Sequence, residues 1–178
     1  GSDDASVIAA SVASLRAKVA ELGAENVAAF FCEPVIGSGG VIVPPKGWLK
    51  AMRDTATELD ILFLADEVIT GFGRTGPMFA CEGEGVVPDL MTMAKGLTSG
   101  YAPLGALAIG EKIYRGIKDN APEGGPIGHG QTYSGHPVSA AVALEVLRLY
   151  DEGGILANGQ RVGAYFEKRL ATLADHPL

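Results

Sequence analysis

Three apolar runs in this 178-residue sequence end on side chains that can do chemistry. Residues 27–32 (VAAFFC) end at Glu33-Pro34, residues 61–65 (ILFLA) at Asp66-Glu67, and residues 89–94 (DLMTMA) at Lys95-Gly96. The lysine is the unusual member of the set. Of the seven lysines, the other six lie in helical or loop contexts open to solvent, whereas Lys95 follows Met91, Thr92, Met93 and Ala94. An amine pressed against an apolar strand is desolvated, which disfavours its charged form and leaves a nucleophile near neutral pH. Such an amine condenses with carbonyl groups to form Schiff bases. Position alone leaves a second reading open, a lysine that snorkels from the sheet edge to water.

Periodicity shows which elements carry these residues. Asp3 or Asp4 caps a helix with Ile8, Val12, Leu15, Val19 and Leu22 at helical spacing, stopped by Gly23. The 27–32 strand, the Gly-rich turn IGSGG, a short VIV run and Pro44-Pro45 come next. A second amphipathic helix then passes through Trp48, Leu49, Met52, Ala56 and Leu59. Strands over 61–65, 89–94 and 104–109 come after it, then helices over about 138–150 and 156–174, separated by Gly153-Gly154. Helices alternating with strands predict a crossover-connected α/β sheet. In such a sheet ligands lie outside the carboxyl ends of the strands, which gathers Glu33, Asp66 and Lys95 into one crevice.

The segment GFGRTG (71–76) fits the G-x-G-x-x-G template of a dinucleotide-binding turn, but the template needs a helix directly after it. The next residues, PMFACEGEGVVPD, read as a long loop, and Gly71 comes five residues after Asp66. A formal net charge of −7 with no basic cluster argues against nucleic acid as a partner. The apolar runs fall far short of the ~20 residues of a membrane-spanning helix, so no membrane partner is expected. With 47% hydrophobic and 20% charged residues the chain can build a core. Cys32 and Cys81 make no metal-ligand spacing, and Cys32, inside an apolar run, reads as a buried free thiol; no metal is expected, and a reducing, cytoplasmic setting fits. The chain opens on GSDDAS without an initiator Met or a signal-peptide pattern, as a cloning scar or a cut through a longer protein does.

Four segments, EPVIGSGGVIVPP (33–45), LADEVITGFGRTG (64–76), PDLMTMAKGLTSGY (88–101) and HGQTYSGHP (129–137), stand in the order and rough spacing of the class III pyridoxal-phosphate aminotransferases. The chain resembles the middle of that family's members, and GFGRTG is similar to the loop after its cofactor-binding aspartate. The resemblance implies the large domain of a fold-type-I, aspartate-aminotransferase-like transferase, α/β with a mostly parallel sheet and helices on both faces, here incomplete. Residues 1–150 are expected to belong to that large pyridoxal-phosphate-binding domain and 151–178 to begin the small C-terminal domain.

The same resemblance assigns roles. Lys95 is similar to the lysine that carries the cofactor and moves a proton between substrate and cofactor carbons. Asp66 resembles the carboxylate that pairs with the pyridine nitrogen and keeps the ring an electron sink. Val68 would pack on one ring face, or be a plain core valine. Glu33 stands where the family has an acid near the cofactor hydroxyl, or merely caps a neighbouring turn. Thr132 resembles the residue that binds the cofactor phosphate of a neighbouring subunit, or is a turn residue; a homodimer or dimer-based oligomer is implied. His129 and His136 receive no catalytic role. The family's phosphate-cupping loop, stacking aromatic and carboxylate-binding arginine have no counterpart here, so the isolated chain is expected to be inactive. GGVIVPP and LTSGYAPLGA look most like the ω-amino-acid and amine to pyruvate transaminases, implying ping-pong transfer from an amine or ω-amino acid to a 2-oxo acid. A same-fold aminomutase or decarboxylase stays open, as does a non-catalytic piece that cannot hold pyridoxal 5′-phosphate.

Overall fold

Asp3 opens the first helix: its Oδ1 accepts the N–H of Ser6 at 2.8 Å, and α1 (Asp4–Leu22) runs until Gly23, at φ +83°, turns the chain away. The computed structural model describes residues 3–122, 125, 129–174 and 176. Gly1 and Ser2, at the head of the GSDDAS stretch, lie outside the described residues. After β1 (Ala29–Cys32) the chain makes a bridge between Ile36 and Ile42 and enters α2 (Trp48–Glu58) through Gly47. The orphan N–H groups at that helix start find a distant partner, because Gly47 and Lys50 donate to the carboxyl of Glu84 at 2.9 and 3.1 Å.

β2 (Leu62–Asp66), β3 (Leu90–Met93) and β4 (Ala106–Ile109) complete a sheet of order β1-β2-β3-β4. The first two pairings are parallel and β3–β4 is antiparallel, which makes the α/β sheet mostly parallel, as expected. Side chains alternate along these strands. Phe63 (0% exposed) and Ala65 join Val19 of α1 with Leu49, Met52 and Ala56 of α2 in one core. Full burial of a Phe contributes roughly 1.5–3 kcal/mol. The opposite face carries Leu62, Leu64 and Phe31, the last 58% exposed.

Asp89, just ahead of β3, fixes the register at the far end of the sheet from Lys95. Its Oδ2 accepts the Phe63 N–H at 2.8 Å and Arg53 Nη1 at 2.5 Å, and its own N–H donates to the Phe63 carbonyl at 2.9 Å. Burial works to raise the Asp89 carboxyl, but the Arg53 hydrogen bond, the Phe63 N–H and the guanidinium charge override it and hold the group below its ordinary value.

Two segments depart from the sequence reading. PMFACEGEGVVPD is not all loop: it contains the single-turn α3 (Ala80–Gly83), whose first N–H groups are capped by Glu67, thirteen residues upstream of Ala80. That partner is remote in sequence, so no local cap signal announces the turn. α4 (Glu111–Asp119) was not expected. Its Ile113, Tyr114 and Ile117 sit among five charged residues, too short a stripe to stand out. The Gly110 N–H donates to the Asp89 carbonyl at 2.8 Å and ties the start of α4 to the head of β3. The final two helices, α5 (Pro137–Glu152) and α6 (Ile155–Ala171), lie where periodicity puts them, joined through Gly153-Gly154. Among the described residues no helix is long and apolar enough to cross a membrane.

Candidate active site

β1, β2 and β3 run parallel, so their carboxyl ends open on one edge of the sheet. Asp66 is the last residue of β2 and pairs with Thr92 of β3, while Cys32 pairs with Ala65. Glu33 therefore follows β1 at the level of Asp66, and Lys95 lies three residues past Thr92. Pairing in register also sets direction: Asp66 and Thr92 share the sheet face that α1 and α2 leave open.

The three strand ends do not converge in a single crevice. Asp66 and Glu33 line one cleft of about 190 Å3 with Phe31 and Cys32. Lys95 lines another, of about 570 Å3, with Ile69, Phe72, Arg74, Ser99 and Tyr150. The two clefts are neighbours on the same edge, because Asp66 and Thr92 are paired and Lys95 follows Thr92 by one turn of chain. Lys95 is also exposed, against the expectation of a desolvated amine. The apolar strand ends at Met93; Ala94 leads out of it, and Lys95 begins a 3-10 turn (Lys95–Leu97) that lifts the side chain clear of the sheet.

Backbone strain collects around the lysine. Phe72, Lys95 and Ser99 have φ of +59°, +41° and +50°, a region that non-glycine residues seldom occupy, and all three line the larger cleft. Gly96 permits the arrangement, since a Cβ there would lie 2.6 Å from the Cβ of Phe72. Phe72 is held in turn by Phe79 and Tyr150, at ring-centroid distances of 5.4 and 5.8 Å. The GFGRTG loop thus supplies the wall against which the lysine turn packs, and it does not open directly into a helix as a dinucleotide site would need: the single-turn α3 begins only at Ala80.

Asp66 Oδ1 accepts the N–H of Val68 at 2.9 Å, which closes a tight turn and places the half-buried Val68 directly beside the carboxyl. Oδ2 accepts no hydrogen bond among the described residues. Thr92 Oγ1, at the register position of Asp66, is buried and likewise has no partner among the described residues. Glu33 Oε2 accepts the Gly37 N–H at 3.0 Å, so it does cap the turn that follows β1 while still lining the cleft with Asp66. Thr132 is exposed in the 132–135 turn, apart from both clefts. His136 precedes α5, and its Nδ1 is buried without a partner among the described residues. Cys32 is half-buried and its thiol is pushed up to about 12 by burial; Cys81 is fully buried, and burial first, then the nearby Glu67 carboxyl, push its thiol up. Neither is poised as a nucleophile.

The donor set suits an electrophilic, nitrogen-containing aromatic ligand. A primary amine and a carboxyl oxygen left open stand in neighbouring clefts on one strand edge, each able to meet a different group of such a ring, while the Thr92 hydroxyl is buried and lines neither cleft. Two residues of consequence were not singled out as site residues from sequence. Thr92 is a plain strand residue until its unpaired hydroxyl is seen, and Glu67 reads as the second acid of a pair until its burial is known.

Residues 2–177 match the family model described as Aminotransferase class-III. The chain is 50% identical over 165 residues to a putrescine–pyruvate aminotransferase of Pseudomonas aeruginosa, covering 92% of this chain and 35% of that protein. It is 46% identical over 156 residues to gamma aminobutyrate transaminase 3 of Solanum lycopersicum, covering 88% of this chain and 30% of the relative. Among solved structures, a thermostable (S)-enantioselective ω-transaminase from Thermomicrobium roseum superposes with a TM-score of 0.89 at 41% identity, over 99% of this chain and 39% of that one. The chain therefore spans about a third of the length of the relatives it matches.

Proposed function

Because the chain belongs to the class-III aminotransferases, fold-type-I enzymes that depend on pyridoxal 5′-phosphate, we propose that it carries the cofactor-binding strand edge of a transaminase. In this reading the full-length protein moves an amino group from a terminal amine or ω-amino acid to a 2-oxo acid such as pyruvate. The observation that carries it is the pairing of an aspartate and a lysine at the ends of adjacent parallel strands, Asp66 closing β2 and Lys95 following β3. The donor class draws on the relatives' names, since putrescine and gamma-aminobutyrate share a terminal primary amine. Residues 1–150 then form part of the large domain, and residues 151–178 open the small one.

Pyridoxal 5′-phosphate, when bound, supplies an aldehyde that exchanges nitrogen with amines and a ring that withdraws electrons from the neighbouring C–H bond. The chain's own residues divide the remaining work. Lys95 Nζ would hold the cofactor through its aldehyde carbon and would carry the proton that leaves the substrate carbon. Asp66, through the oxygen not engaged by Val68, would hold a proton on the ring nitrogen. Val68, beside the Asp66 carboxyl, would bear on a ring face, and Glu33, in the same cleft as Asp66, would serve the side of the ring hydroxyl. Thr132, exposed and away from both clefts, serves a partner subunit's phosphate in a homodimer. Transfer is ping-pong, with the donor leaving as an aldehyde or ketone before the 2-oxo acid enters.

The test is incubation of the full-length protein with pyridoxal 5′-phosphate, borohydride reduction and peptide mapping, alongside transfer assays with putrescine, gamma-aminobutyrate and pyruvate. A pyridoxyl label on Lys95 together with alanine formation is expected. A label on another lysine overturns the site. Labelling at Lys95 with isomerisation or loss of CO2 in place of alanine points to an aminomutase or decarboxylase.

A further inference from the structure

Glu67 has no role in the chemistry above, yet its side chain is completely enclosed, at 0% exposure. Its carboxyl oxygens accept three hydrogen bonds, from the Thr70 hydroxyl and the Ala80 N–H (3.1 Å) on Oε2 and from the Cys81 N–H (2.8 Å) on Oε1. Its main chain is equally committed: the N–H donates to the Thr92 carbonyl at 3.0 Å, and the carbonyl accepts the Gly71 N–H at 2.9 Å. One residue thus ties both ends of the 68–79 loop to β3, three residues before Lys95. At the middle of that loop, Phe72 presses on Gly96 so closely that no Cβ fits between them.

We infer that Glu67 is a positioning residue for Lys95: it clamps the 68–79 loop, and the clamped loop, through Phe72 against Gly96, holds the lysine turn in its left-handed conformation. The inference rests on the proposed function in taking Lys95 as the reacting amine. A backbone conformation of this kind persists only where its surroundings over-determine it. The carboxyl of Glu67 suits the task because all its bonds are accepted ones. An amide in its place would turn an NH2 group toward a backbone N–H, donor against donor, and the loop would lose one of its ends. A lysine turn released from its wall would present the amine in several orientations, and misplacement on the order of 1 Å costs about 100-fold in rate.

The experiment uses the full-length protein with Glu67→Gln, Gly96→Ala, the double variant, and Thr70→Val, which removes a single bond of the clamp. Three quantities are read on each: the rate of borohydride-trapped pyridoxal-phosphate labelling at Lys95 in cofactor-free protein, kcat and KM in loaded protein, and the urea midpoint. Glu67→Gln is expected to slow Lys95 labelling and to lower kcat about 10- to 100-fold with KM little changed. Gly96→Ala, which displaces Phe72 directly, should reproduce that pattern, and the double variant should be no worse than the poorer single, since both act on one path. Thr70→Val should give a smaller loss of the same kind. A lower urea midpoint with unchanged labelling and kcat, or effects that simply add, would overturn the positioning role. If Glu67→Gln does not fold, Thr70→Val and Gly96→Ala decide by the same criteria. Absence of Lys95 labelling in the unmutated protein would instead overturn the proposed function, and this inference with it.

Discussion

Lys95→Ala separates chemistry from architecture, and the structure sets the size of both effects. Lys95 is exposed and belongs to neither hydrophobic cluster, so truncation removes no core contacts. Surface changes of that kind fall within about ±0.5 kcal/mol. The backbone at φ +41° is equally unfavourable for Lys and Ala, so that cost cancels. Lys95→Gly removes it, and should stabilise the protein by up to about 1 kcal/mol, the penalty for an L-residue in the left-handed region less the entropy glycine loses on folding. Turnover responds quite differently, since loss of the proton carrier alone is worth roughly 10²- to 10⁴-fold. Urea unfolding of the three proteins at neutral pH, with alanine formation measured on the same preparations, provides both readings. The expected order of stability is Lys95→Gly above Lys95→Ala, the latter equal to the unmutated protein, with both variants inactive. A loss above about 1 kcal/mol in Lys95→Ala would mean that the amine is structural, and retained turnover would remove Lys95 from the chemistry altogether.

Asp66→Asn should retain the cofactor yet slow the single-turnover half-reaction strongly, because an amide cannot hold a proton on the ring nitrogen as a carboxylate does; a rate near that of the unmutated enzyme would assign Asp66 to its turn with Val68 alone. Asp89→Asn should cost about 1–3 kcal/mol near pH 7 by losing the charge-assisted bonds to Arg53. The folded Asp89 carboxyl lies below its ordinary value, so its contribution is complete above about pH 4, the unfolded value, and is lost as pH falls through the folded one. Urea midpoints of the two proteins should therefore converge in acid, and a gap that stays constant down to pH 2 would reject this account. Mixing Lys95→Ala with Thr132→Ala subunits should restore activity through heterodimers that hold one doubly defective and one intact site; no recovery despite demonstrated subunit exchange would place Thr132 in its own subunit's site or in none.

All the elements but α3 and α4, and their order, are legible in the amino-acid sequence, because the signals that specify them are local. The apolar stripe of α1 and its Asp3 cap, the β2 run that ends at Asp66, and the Gly153-Gly154 break before α6 each depend on neighbours within a few residues. The chemistry-bearing residues are legible for the same reason, since a strand end is visible as the point where an apolar run meets Asp66 or Lys95. How those ends relate is settled in three dimensions. That Asp66 stands beside Thr92 follows from strand pairing, and strand pairing is a contact between segments 26 residues apart. Sequence misjudges the exposure of Lys95 because the apolar residues ahead of it lie on the strand, whereas the lysine itself begins a turn whose shape is imposed by Phe72 from another loop. Glu67 shows the limit most plainly. Beside Asp66 in sequence it is one of two adjacent acids, yet alternation along the chain sends Asp66 to the open face of the sheet and Glu67 into the interior. There the N–H groups of Ala80 and Cys81, remote in sequence, convert a charge that would be costly to bury into the anchor of a loop.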